Sequence, residues 1–269
     1  MKQTWMGATV FALAASVLMI SCSKQPLPED AMMLTDNGSN LKADKANTFY
    51  GPQVHLGNGK ARSFVVMDKS GKPLELGVEM TAGAMQGLPE DELDFEAATF
   101  TLPLHHKAAL ATAFDHVDIN WNVQGHEPPG VFTIPHFDFH FYMITQGQQM
   151  AIPPYSVNPA GFDNLPAPAS WPIAYVPTPG GVPQMGKHWV STSFAPPFSH
   201  TMIYGSYAGQ FIFVEPMITR QFLLAGTRVD VPYSPLRGFP MAGKWYPQTY
   251  HIYKEGGKHY VTLSNFSWH

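Results

Sequence analysis

The chain has 269 residues, a formal net charge of −4 and charged residues at only 13 %. Basic side chains are scattered rather than gathered into a patch, which excludes nucleic acid as a partner, because phosphate binding needs concentrated positive charge. Aromatics also reach 13 %, a balance that suits a β-rich fold with large buried faces.

The first residues carry the three parts of an export signal: Lys2, then an uncharged stretch of small and apolar residues from Thr4 to Ile20, then Met19-Ile20-Ser21-Cys22. The last four residues read as a lipobox, with Met19 where Leu is usual. Cys22 is the sole cysteine, so the chain cannot form an internal disulfide. The expectation is cleavage after residue 21 and lipid on Cys22, which would tether the protein to a membrane in the cell envelope, facing the periplasm or the exterior. Each buried lipid methylene contributes roughly 0.8 kcal/mol, so several acyl chains on one residue hold firmly. Residues 22–47 are polar and proline-bearing and read as a disordered tether. Residues 48–269 are long enough for a single globular domain.

Within that domain, Arg62–Met67 and the alternating Leu74, Leu76, Val78 and Met80 predict a hairpin around the polar turn Asp68–Lys72. Ala82–Leu88 reads as a helical turn or two, and Glu90–Asp94 as a solvated acidic run. Phe114–Asn122 and Val131–Thr145 carry the clearest period-two patterns. Nine prolines between Ile152 and Pro183 predict a long ordered loop or lid that packs through its aromatics, because proline cannot donate a ladder hydrogen bond. His200–Tyr207 and Gln210–Val214 form a further hairpin around Ala208-Gly209, and Met217–Leu224 a short helix after Pro216. Tyr250–Tyr253 and His259–Leu263 close the chain as a hairpin. The fold class expected is all-β: one antiparallel sandwich or open barrel with one or two short helices.

Two of these strands carry the chemistry. Successive strand residues point to opposite faces, so His136, Asp138, His140 and Tyr142 share one face, against Phe137, Phe139, Phe141 and Met143 on the other. In the same way His116, Asp118, Asn120 and Asn122 oppose Val117, Ile119 and Trp121. Residues 123–130 make a short connection, which favours antiparallel pairing, and directly paired residues share a face. Any register that sets even numbers against even numbers therefore joins the two polar rows. One solvated sheet face would explain the alternation too, but neither segment contains Lys, Arg or Glu.

His and Asp are ligands of zinc and other transition ions. His136 and His140 are separated by about 13 Å along a straight strand, too far to share one ion. The pairs His136–Asp138 and Asp138–His140 are the candidates, completed by His116, His126, Glu127, His188 or Glu215. Asp138 could equally orient a neighbouring histidine. The metal set is therefore His116, His136, Asp138, His140 and His188, for a divalent transition metal with zinc favoured. Asp118, Asn120, His126, Glu127, Tyr142 and Glu215 are candidate ligand-binding residues. Three readings stay open: a pocket for a metal or small polar ligand, a metal-assisted hydrolase or lyase with Asp138 or Glu127 as base, and a structural module that could form homo-oligomers.

Segments Ala61–Val66, Leu76–Pro89, Gly125-His-Glu-Pro-Pro-Gly130, Pro135–Tyr142, Met185-Gly-Lys-His-Trp189 and Phe213-Val-Glu-Pro-Met217 together resemble a bacterial family of unknown function, of the TTHB type. The resemblance spans the chain from about residue 48 to its end. It implies a mainly β, extracytoplasmic domain and brings no activity or catalytic residues with it.

Overall fold

A computed structural model describes residues 47–91 and 98–269. The expected signal peptide, Cys22, almost all of the tether and part of the acidic run lie outside the described residues. Among the described residues no helix is long and apolar enough to cross a membrane.

Sixteen strands are described: β1 Thr48–Tyr50, β2 Val54–Leu56, β3 Gly59–Met67, β4 Pro73–Thr81, β5 Thr99–Pro103, β6 His116–Asn122, β7 His136–Tyr142, β8 Tyr175–Pro177, β9 Lys187–Ser191, β10 His200–Tyr207, β11 Gln210–Thr219, β12 Val229–Pro232, β13 Trp245–Tyr246, β14 Thr249–Glu255, β15 Lys258–Ser264 and β16 Ser267–Trp268. They form two seven-stranded antiparallel sheets and a small β13–β16 pair. The first sheet runs β1-β3-β4-β15-β14-β12, with β2 also paired to β3; the second runs β5-β6-β7-β11-β10-β9-β8. The fold is thus all-β, with no closed barrel among the described residues. Among the described residues four short α-helices accompany it, where one or two are expected from the sequence: α1 His106–Ala111, α2 Gln146–Met150, α3 Pro159–Asp163 and α4 Arg220–Ala225.

The two sheets share one core. Val65, Leu76, Val78, Ile252, Val261 and Leu263 from the first join Val117, Ile119, Phe137, Phe139, Phe141, Val214 and Ile218 from the second in a single buried cluster. Each large apolar side chain so buried contributes roughly 1.5–3 kcal/mol. The odd-numbered residues of β6 and β7 are therefore the inward ones, and the polar rows lie on the outer face of the second sheet. At the edge of the first sheet, Asp230, His251 and Ser264 form a hydrogen-bonded chain (2.5 and 2.5 Å) that ties β12 to β14 and β15.

The hairpins expected from the sequence form. Ala208 and Gly209 take φ of 50° and 83° between β10 and β11, the left-handed pair whose twist suits a two-residue hairpin loop. Ala82–Met85 is a single 3-10 turn. The proline-rich stretch holds α3, a short 3-10 turn at Pro168–Ser170 and strand β8, and Ile152, Phe162 and Tyr175 within it are buried.

The region after Gln210 departs from expectation. β11 does not stop at Val214; it continues through Glu215 and Pro216 to Thr219, and the helix starts only at Arg220. Pro216 does not end the strand because β10 still pairs with it at Met202. The register with β7 runs Phe213–Tyr142 and Val214–Phe141, then resumes at Met217–Asp138. Proline lacks the N–H that this central ladder would use. Thr219 then caps α4 by accepting a hydrogen bond from the Phe222 N–H.

Candidate functional site

β6 and β7 pair in the register that sets even against even: His116 with Tyr142, Asp118 with His140, Asn120 with Asp138 and Asn122 with His136. The two polar rows lie side by side, as the period-two reading predicts. The face is not a solvated exterior, however. His116, Asp118, Asn120, His136, Asp138 and His140 are all buried.

Three neighbouring parts cover them. Helix α2 lays Gln149 over one end. The connection between β6 and β7 folds back on itself, with the His126 N–H donating to the Phe132 carbonyl, and sets the His126 ring 4.7 Å from that of His136. Phe132, Phe198, Ile203 and Met217 form a separate apolar cluster beside it. On the far side, β11 brings Glu215 and β9 brings His188.

The ladder divides into two chemically distinct halves. In the first, His116 bonds Asp115 through Nδ1 (2.9 Å) and Gln149 Oε1 through Nε2 (2.8 Å). Gln149 Nε2 and Thr101 Oγ1 each donate to Asp118 at 2.6 Å, and Asn120 Nδ2 donates to Thr99 Oγ1 at 2.8 Å. Both ring nitrogens of His116 and both carboxylate oxygens of Asp118 are thus engaged, so neither residue presents a free ligand atom. Tyr142 separates the halves: its ring stacks 4.9 Å from His116 and 5.6 Å from His140, and its hydroxyl donates to the Gln184 carbonyl.

In the second half, six side chains converge as two groups of three: His126, His136 and Asp138, and His140, His188 and Glu215. Within each group the ligand-type atoms all lie within 4.8 Å of one another. Nε2 of His136 is 3.2 Å from Asp138 Oδ1, and Nε2 of His126 is 3.5 Å from Asp138 Oδ2. Nε2 of His140 and of His188 lie 3.5 and 3.7 Å from Glu215 Oε2. These last separations are longer than good hydrogen bonds. They are a little longer than the edge of a tetrahedron whose metal–ligand bonds are 2.0–2.1 Å, which is about 3.3–3.4 Å.

The orientation of the rings points the same way. His126 Nδ1 faces the Glu127 carbonyl and His136 Nδ1 the Ile134 carbonyl, each at 2.7 Å. A neutral imidazole donating there leaves Nε2 as an acceptor, and it is aimed at a carboxylate, which also only accepts. Two acceptors in contact need a cation or a proton between them. His136 Nε2, Asp138 Oδ1, both nitrogens of His140 and Glu215 Oε2 are buried without any hydrogen-bond partner. Asn122, which the sequence places on the polar row but not among the ligands, donates to Asp138 Oδ2 at 2.7 Å and fixes that carboxylate.

The electrostatics divide by partner. Burial alone would raise the Asp138 carboxyl, but His136 and His126 beside it outweigh burial and hold it well below the usual carboxylate range. His126 is raised, because Asp138 overcomes the opposing effect of its own burial. Burial pushes His140 down to about 3 and His188 down to about 4. Burial, reinforced by the charge of Asp138, raises Glu215 well above its ordinary value.

Of the candidates drawn from the sequence, His126, His136, Asp138, His140, His188 and Glu215 come together. His116, Asp118 and Asn120 lie on the same face, with His116 and Asp118 held in the hydrogen-bonded half, and Tyr142 sits between the halves. Glu127 meets the site through its backbone carbonyl, while its side chain is exposed. Gln149 carries no ligand signal in the sequence. The helix that presents it does: Thr145 and Gln148 form a capping box.

Fold and site together define an all-β sandwich protein with a buried His/carboxylate cluster on an outer sheet face. Residues 68–121 match the model of the TTHB210-like family, described as hypothetical protein TTHB210. That segment runs from the β3–β4 turn through most of β6 and includes His116, Asp118 and Asn120; the six converging residues lie beyond it. It is shorter than the span over which the sequence resembles such a family. Neither the curated proteins nor the solved structures gave a match.

Proposed function

We propose that this chain is a cell-envelope lipoprotein, lipidated at Cys22, whose outer sheet face binds a divalent transition metal. One observation carries the reading: buried, partnerless His Nε2 and carboxylate oxygen atoms face one another in two groups of three ligand atoms that lie within 4.8 Å. An unsatisfied buried polar atom costs about 1–3 kcal/mol, and these groups would make the face unfavourable unless a cation or a proton lay between them. The residues that would hold it are His126, His136 and Asp138, or His140, His188 and Glu215. Zinc is the first candidate, since two imidazoles and a carboxylate suit it.

A metal-assisted hydrolase is the second reading. It is favoured by the count of three protein donors in each group, which leaves a coordination position for water or substrate. Localisation rests on the sequence of the first 22 residues.

The test is elemental analysis of the purified full-length chain beside His136→Ala. Near-stoichiometric metal in the first and a clear loss in the second support the proposal. No metal in either, after reloading with zinc, copper and manganese, overturns it.

A further inference from the structure

The two groups of three have consequences that differ from those of a single metal site. They share no residue, and each has its own complement of two imidazoles and one carboxylate. The six ligand atoms do not all lie within 4.8 Å of one another, as they would around one ion that holds its ligands at about 2.0–2.2 Å; they do so only within each group. The partnerless atoms are also divided: His136 Nε2 and Asp138 Oδ1 belong to one group, His140 Nε2 and Glu215 Oε2 to the other. One ion in either group would leave the other group's buried acceptors unsatisfied.

Formal charge then constrains what else the face takes. Two neutral histidines and one carboxylate leave a divalent ion with about one surplus positive charge, so two filled groups carry about two. The nearby carboxylate of Asp118 is already bonded by Thr101 and Gln149. The surrounding cluster of Phe132, Phe198, Ile203 and Met217 is apolar, and an uncompensated charge beside such a surface is costly. Each group has three protein donors and hence open coordination positions. Access is unequal: the side chain of His126 is 40 % exposed and that of His188 19 %, against 0 % for His136 and His140. A small ligand would enter past His126.

Building on the metal-binding reading, we propose that this face holds two divalent cations, one per group, and that together they bind an oxyanion of the phosphate class at their open positions. His126 and His188 are the accessible member of each group, so replacing either empties one site with the least disturbance to the core.

The experiment uses the full-length chain, stripped with chelator and reloaded with zinc, in wild-type, His126→Ala, His188→Ala and doubly substituted forms. Ions per chain are counted by elemental analysis, and binding of inorganic phosphate is followed by calorimetry. Circular dichroism checks the fold, and His188→Gln replaces His188→Ala if the latter does not fold. The expected result is two ions in the wild type, one in each single variant and none in the double. Phosphate binding should weaken at least tenfold in each single variant. One ion in the wild type overturns the two-site proposal and leaves the metal-binding reading intact. No ion at all overturns both. Two ions with no phosphate binding, or with phosphate affinity unchanged in the single variants, overturns the joint oxyanion site.

Discussion

His140 and Glu215 face each other across β7 and β11 with Nε2 and Oε2 3.5 Å apart, both buried, and neither atom has a hydrogen-bond partner. Burial disfavours the charged form of each, so the pair does not close to a charge-assisted bond of about 2.7–2.9 Å. Phe213 sits against His140 at 4.7 Å and against His188 at 5.5 Å, and the β7–β11 register is interrupted beside Glu215. Four consequences can be measured.

Metal removal should lower thermal stability. A ligand that binds only the folded state at 100 times its Kd stabilises by about 2.7 kcal/mol. For a domain of this size that corresponds to a fall of roughly 5–10 °C in Tm on chelation. Calorimetry before and after chelator treatment checks it, and an unchanged Tm would count against any tight cation.

The metal-free protein should lose stability in acid through His140 and His188. Their folded-state values, about 3 and about 4, lie below the ordinary 6.5. Between those limits the unfolded chain binds more protons than the folded one, so stability falls as pH drops below about 6.5. Each histidine adds up to about 1.4 kcal/mol per pH unit. Glu215, raised by burial, acts with the opposite sign above its ordinary 4.5. Urea unfolding of the chelated wild type and His188→Gln at about pH 7 and pH 5 isolates one histidine. The wild type should lose stability relative to the variant as the pH falls.

Gln149→Ala should separate the structural half of the ladder from the metal-type half. It strips the partners from His116 Nε2 and Asp118 Oδ2, at a cost of about 1–3 kcal/mol for each buried group left unpaired. Metal content should not change. Equal loss of metal and stability would mean that the two halves act as one unit.

Gly205→Ala should damage one group of three and spare the other. A Cβ at position 205 would collide with the Phe213 ring, which packs on both His140 and His188. Displacing it should weaken cation binding at His140, His188 and Glu215 at least tenfold, about 1.4 kcal/mol. The group around His136 and Asp138 should keep its ion. Metal titration followed by the ion count per chain reads both.

The composition of this face follows from residue order alone. Strand side chains alternate with a period of two, so once residues 116–122 and 136–142 are strands, even numbers must share a side, and the short connection makes them neighbours. His136 and His140, about 13 Å apart along one strand, likewise had to meet different neighbours. The hairpins were legible for the same local reason: alternation ending at Gly-rich turns. Which polar residues are satisfied, and which are left facing one another, depends instead on contacts between distant segments. His116 and His136 have equivalent places in their strands, yet Gln149 from α2 occupies the first, and the second is left to Asp138 and His126. Glu215 reads as the end of an apolar run followed by a strand-breaking proline, but β10 and β7 flank it on both sides and carry the strand past Pro216. Burial, long-range pairing and the covering of an outer sheet face depend on segments distant in sequence, and no local periodicity encodes them.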